Sequence, residues 1–182
     1  MKTLEALNRG QVSENNQQIF DTLKKKVGMV PNLYATAANS NVALGAILGF
    51  GDTLGGGTFS GKEVEAIALA VSQVNDCEYC LAAHTAIGKM NGFTEAQTVE
   101  LRTGNIENAK LAALTQLARE LADNKGRAAQ SFIDAFFAAG YSKAALVELI
   151  GFVALNTFNN FLNNTAGTTV DFPAAPELLA TV

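Results

Sequence analysis

Apolar side chains recur at spacings of three and four along nearly the whole chain, while sustained alternation and clusters of β-branched residues are scarce. That period belongs to amphipathic helices, so the pattern predicts an all-α protein. Ser13 precedes a helix reaching about Lys26, and Pro31 suits the first turn of a short one ending near Asn39. A third runs from about Asn41 to Leu54 and stops at Gly55-Gly56-Gly57. Ser60 with Glu63 forms a capping box opening a helix that carries Ile67, Ala68, Val71 and Val74. Asn75-Asp76 offers two N-cap side chains in a row, so a break falls there and a new helix runs from Cys77 to about Met90. Gly92 ends it, and Thr94 with Gln97 opens a short helix by the same capping logic. Asn105 or Asn108 starts the next, with a stripe of Leu111, Leu114, Leu117 and Leu121 up to Asp123. Arg127 to Ala139 reads as a further helix stopped by Gly140, and Ser142 starts a long last one through about Asn164. The tail from Thr165, with Pro173 and Pro176, reads as extended and free to lie over a neighbour.

The chain has 182 residues, which fits one domain at about 150 residues each and leaves no linker for a second. Charged residues make up 16% and apolar ones 48%. The usual charged share is about 25%, so the expectation is a globular chain that covers part of its surface by assembling into an oligomer. Thirteen basic against seventeen acidic residues give a net charge of -4, which offers no electrostatic footprint for nucleic acid or anionic lipid. Lys24-Lys25-Lys26 reads as a solvated helix end that complements the macrodipole. The first residues have no signal-peptide core. The apolar stretches are cut by Gly51, Asp52, Glu148 and Asn156 short of the roughly 18 residues a membrane span requires. The compartment expected is therefore the cytoplasm, where cysteines are more often reactive or metal-binding than structural.

The only two cysteines sit together as Cys77-Glu78-Tyr79-Cys80, and the only histidine follows at His84. On one helix Cys77, Cys80 and His84 fall within about 60° of each other. A thiol acts as a nucleophile only when deprotonated, so His84, one turn beyond Cys80, is the candidate base. The free N–H groups of the helix start favour a thiolate at Cys77 more than at Cys80, opposed by Asp76 and Glu78. On a continuous helix Glu65 would lie ~18 Å from Cys77. If the chain folds back at Asn75-Asp76, Glu65 stands ten residues before the turn and His84 eight after it, at nearly the same height. A carboxylate there orients the imidazole and completes a relay of Glu65, His84 and Cys80. Glu63 is already occupied as a cap.

Glu65, eleven residues, Cys77-x-x-Cys80, three residues and His84 resemble the signature of the AhpD-like alkylhydroperoxidases in the carboxymuconolactone decarboxylase superfamily. Gly28-Met29-Val30-Pro31-Asn32-Leu33 is similar to the opening segment of the peroxidase-related branch. Asn156-Thr157-Phe158-Asn159-Asn160 with Asp171-Phe172-Pro173 is similar to its closing helix and tail. The resemblance implies an AhpD-like helical domain with a central hairpin carrying the cysteine motif, assembly into trimers or hexamers, and reduction of organic or hydrogen peroxide through the two thiols. It implies that Cys80 attacks the peroxide, Cys77 closes the disulfide, and His84 and Glu65 relay the proton. It also implies an external reductant, a lipoyl-type dithiol or a thioredoxin-like protein, and no bound cofactor. The family places a second histidine where this chain has Tyr79, which is expected to be a wall residue and leaves substrates outside the peroxide class open.

Other readings compete. A zinc site would have to use Cys77, Cys80, His84 and Glu65, but structural zinc prefers a second cysteine pair, which is absent. Thioredoxin chemistry places its cysteine pair after a strand, and none is visible. A lyase of the carboxymuconolactone decarboxylase type and a redox-sensing or metal-binding oligomer without turnover remain as alternatives. Asn156, Asn159, Asn160, Asn163 and Asn164 read as polar contacts between helices or subunits, with Asn156, Asn160 and Asn163 on one stripe. The glycine triplet lacks the lysine and hydroxyl residue of a phosphate loop and is a turn.

Overall fold

A computed structural model describes residues 4–178. Among these are nine α-helices and no strand: α1 (Glu14–Val27), α2 (Asn32–Ala37), α3 (Asn41–Gly55), α4 (Gly61–Val74), α5 (Glu78–Met90), α6 (Glu95–Thr103), α7 (Ala109–Asp123), α8 (Gln130–Ala138) and α9 (Lys143–Ala166). Most helix starts carry the side-chain caps that the sequence announces. Ser13, Ser40, Ser60, Thr94, Asn108 and Ser142 each accept a backbone N–H of the first turn, and Ser60–Glu63 and Thr94–Gln97 are full capping boxes.

Helix α4 is the axis of the bundle. Every residue from Glu65 to Ser72 is buried, as expected of a helix surrounded on all sides, here by α5, α6, α7 and α9. Ile67, Ala70 and Val71 meet Leu114, Leu117 and Leu121 of α7, Phe136 of α8, and Leu149, Phe152 and Val153 of α9. Ala66 and Leu69 meet Leu81, Phe93, Leu101 and Ile106. Helices α1 to α3 form a separate cluster around Phe20, Leu44 and Ile47. Gly57 permits one close approach, because a Cβ there would fall 2.6 Å from Glu148 Oε2, the atom that accepts the Thr58 N–H at 2.7 Å.

Three local expectations change. Helix α8 starts at Gln130 rather than Arg127, because residues 124–129 form a loop in which Gly126 has φ +84° and Glu120 accepts the Ala129 N–H. Helix α9 is the long last helix expected, over 24 residues, but Glu148 and Asn156 do not cut its apolar run short. By length and composition it is apolar enough to cross a membrane, and 39% of that stretch is buried, with Leu149, Phe152 and Asn160 against the other helices. The tail is extended as expected, but it lies on its own chain. Asp171 accepts the Asn32 N–H at 2.8 Å, Thr169 accepts from the Asn32 side chain, and the Pro176 carbonyl accepts from buried Arg102.

Candidate functional site

The junction of α4 and α5 sets the site. Asp76 adopts φ +49°, and the N–H groups of Asp76 and Cys77 return to the carbonyls of Gln73 and Ser72 at 3.3 and 3.0 Å. This double return closes α4 in a Schellman turn, a left-handed step that reverses the chain. The break therefore falls where expected with its parts exchanged. Asn75 ends α4, and Cys77 is itself the N-cap of α5, its Sγ accepting the Cys80 N–H at 3.4 Å.

The reversal sets α5 against α4 and brings Glu65 and His84 together, with His84 Nδ1 2.8 Å from Glu65 Oε2. Glu65 is buried, whereas the His84 side chain keeps 23% of its surface exposed, so the pair has one end inside the protein and one toward solvent. Burial disfavours the imidazolium, but the charge and hydrogen bond of Glu65, with a contribution from Cys77, outweigh it and raise the His84 pKa above its ordinary value.

Both cysteines are free thiols, 0% and 2% exposed, in a cluster with Leu33, Tyr79 and Ala83 that Tyr34, Leu162, Val170 and Phe172 cover. They share one charge unequally. A hydrogen bond from Cys80 lowers the Cys77 pKa to about 7 against the cost of burial, helped by the Cys80 N–H, Asn160 and the charge of His84. Cys80 is pushed up, first by Cys77 and then by burial, with Asn163 and Asn160 acting in the opposite sense. The first proton to leave the pair leaves its charge on Cys77, the sulfur at the helix start.

Tyr79 is built into the wall. Its hydroxyl accepts the Leu33 N–H at 3.2 Å, and its ring meets Phe172 edge-on at 5.9 Å. Burial raises its phenol first, and Asp171 adds to the rise. Tyr34 of α2 packs on the same cluster, its phenol raised by burial and by the charges of Glu65 and Cys80.

The asparagines of α9 complete the surroundings. Asn160 accepts from Asn75 at 2.9 Å and donates to Ser72 at 3.2 Å, and Asn164 donates to the Asn75 carbonyl at 2.9 Å, so α9 ties down the turn. Asn163 Nδ2 lies 3.2 Å from Cys80 Sγ. These contacts join helices, as the sequence suggests, but one of them ends on a sulfur. The shared stripe of Asn160 and Asn163 was the signal available for that. Among the described residues no three His, Cys, Asp or Glu side chains are grouped to hold a metal ion.

Residues 43–124, which contain Glu65, Cys77, Cys80 and His84, match the model of the carboxymuconolactone decarboxylase family. No curated protein matches the chain significantly. A peroxidase-related protein of uncharacterised function from Silicibacter sp. TM1040 is 20% identical over 92% of each chain, with a TM-score of 0.81. A peroxidase-related protein from Ralstonia eutropha JMP134, described as an alkylhydroperoxidase AhpD core, is 19% identical over 93% of this chain and 92% of its own, with a TM-score of 0.84. The debrominase Bmp8, solved with 2,3,4-tribromopyrrole, is 16% identical over 94% of this chain and 92% of its own, with a TM-score of 0.80. At these identities the likeness is one of fold. The segment that carries the whole motif is thus similar to the carboxymuconolactone decarboxylase family, and the helical architecture, which extends well beyond that segment, is AhpD-like.

Proposed function

We propose that this protein is a thiol-dependent peroxidase that reduces hydrogen peroxide or organic hydroperoxides through Cys80 and Cys77. The observation that carries the reading is the 2.8 Å contact of His84 with Glu65, on the helix whose start holds both sulfurs. His84 takes the first proton of the pair, and the Cys80 proton passes to Cys77, which leaves Cys80 as the thiolate. Its sulfur attacks the terminal oxygen of the hydroperoxide. An S–O bond forms, the O–O bond breaks, and the alkoxide takes the proton held by His84 and leaves as the alcohol. Cys77 then attacks the sulfenic sulfur of Cys80, the S–S bond forms, and hydroxide leaves with the Cys77 proton as water. An external dithiol, of the lipoyl or thioredoxin kind, returns the disulfide to two thiols.

Assembly of like chains is supported by an apolar stripe of Val147, Ile150, Ala154, Phe158 and Phe161 along the outer side of α9, continued by Val42 and Phe50 of α3. The expected result is dithiothreitol-dependent consumption of tert-butyl hydroperoxide by the native chain, with Cys77→Ser and Cys80→Ser both at background. Equal decay for all three proteins removes the reading.

A second reading is favoured by the aromatic rings of Tyr34, Tyr79 and Phe172 around the sulfurs. The thiolate would take the halogen of a haloaromatic, the ring carbon would take the proton from His84, and the second sulfur would close the disulfide and expel halide. Bromide release from a bromopyrrole without peroxide turnover would select it.

A further inference from the structure

Asn163 is 3% exposed and holds its amide at the reacting sulfur. One end is engaged, with Nδ2 donating to Cys80 Sγ at 3.2 Å. The other end is not, because Oδ1 is buried without a partner among the described residues. An unpaired buried acceptor costs on the order of 1–3 kcal/mol, and a native fold that keeps one beside a nucleophile has left a place for a donor. The backbone around it is settled, since the Thr168 N–H bonds the Asn163 carbonyl at 3.1 Å. The dithiol itself uses Nδ2. The hydroxyl of a hydroperoxide approaching Cys80 is a donor that arrives at the same place.

We propose that Asn163 is a catalytic residue acting through both ends of its amide. Nδ2–H holds the Cys80 sulfur as the attacking thiolate, and Oδ1 accepts the hydroxyl proton of the incoming –OOH group, so the substrates are hydroperoxides with a free hydroxyl. This rests on the thiol peroxidase reading and specifies how its attacking sulfur is chosen. Cys77 takes the first negative charge by its place at the helix start, and a fixed donor on Cys80 lets the charge transfer at the moment of attack. Oδ1 then orients the oxygen that sulfur must reach. A dialkyl peroxide has no proton to offer it.

The titratable groups around the pair are Tyr79 and His84 on α5, Glu65 on α4, Tyr34 on α2 and Asp171 on the tail. The test keeps all of them and removes the competing sulfur. In a Cys77→Ser background, Cys80 is alkylated with iodoacetamide across pH and oxidised with tert-butyl hydroperoxide, with Asn163 native, Asn163→Ala or Asn163→Asp. Thermal melting of each variant reports folding. The near-isosteric Asn163→Asp keeps an acceptor, removes the donor and adds a charge. The expected result is a rise of about one unit or more in the alkylation midpoint for both variants, larger for Asn163→Asp. Above the midpoint, where Cys80 is fully ionised, Asn163→Ala should lose about tenfold more rate with the hydroperoxide than with iodoacetamide. An unmoved midpoint in folded protein overturns the donor role. Equal rate losses for the two electrophiles overturn the acceptor role. Failure of the peroxidase reading would look different, with normal alkylation and no oxidation of Cys80 even when Asn163 is native.

Discussion

The cluster joining α4, α7, α8 and α9 and the cluster around Cys77 and Cys80 are both shut off from water, and they are made of different material. In the first, Phe136 stacks on Tyr141 at 4.4 Å, and Leu114, Leu117 and Leu149 are fully buried. In the second, apolar side chains are interspersed with polar groups: Asn160 and Asn163 from α9, Ser72 from α4, the Tyr79 hydroxyl and the Asp171 carboxylate. Buried side-chain atoms without partners include Asn163 Oδ1 and Asp171 Oδ1 in that second wall, and none on α4, α7 or α8 among the described residues. The apolar cluster holds the frame, and the polar one sets the charge state of two sulfurs at some cost in stability.

The largest effect that would sharpen this contrast is on the frame. Phe136→Ala should lower the unfolding free energy by about 3–5 kcal/mol in urea denaturation, while folded protein keeps its thiol reactivity. A loss of stability with altered Cys77 reactivity would mean that the clusters are not separable. Asn160→Leu comes next. It removes the nearer of the two acceptors of the Asn75 side chain and the donor to Ser72, should cost about 2–3 kcal/mol, and should also raise the alkylation midpoint of Cys77, whose pKa Asn160 helps to lower. Stability loss without a change at Cys77 would make the α9 network purely structural.

Glu65→Gln follows, with an effect of about one pKa unit read on the single histidine by NMR titration. The His84 pKa is raised, so its imidazolium contributes stability that is complete below the ordinary value of 6.5 and is lost as pH rises through the folded value. In the variant the midpoint should fall, and the stability gap between native and variant proteins should narrow as pH rises past the native midpoint. The smallest effect belongs to Tyr79→Phe, which removes the acceptor of the Leu33 N–H and should cost about 1 kcal/mol. Unchanged peroxide turnover in that variant would keep Tyr79 in the wall, and a large loss would give its hydroxyl a part in the chemistry.

What could be read in advance follows the distance over which each contact acts. Ser60 with Glu63 and Thr94 with Gln97 close their bonds within one turn, so the residues predict the structure directly. Glu65 and His84 are nineteen residues apart and still legible, because a single break between two regular helices fixes their heights by counting. The same counting misjudged the break itself. Asn75 and Asp76 suit an N-cap, but a left-handed Asp76 and a thiol that accepts an N–H make Cys77 the cap instead.

By itself the sequence determined the helical class, most helix limits and the facing of an acid toward an imidazole, since hydrogen bonding within a turn and the helical repeat are local properties. Only the tertiary structure decided that the tail lies on its own chain and that Asn163, 83 residues beyond Cys80, reaches the sulfur. Contacts of that range depend on how α9 and the tail settle against a core already formed, and no spacing along the chain encodes where two such surfaces will meet.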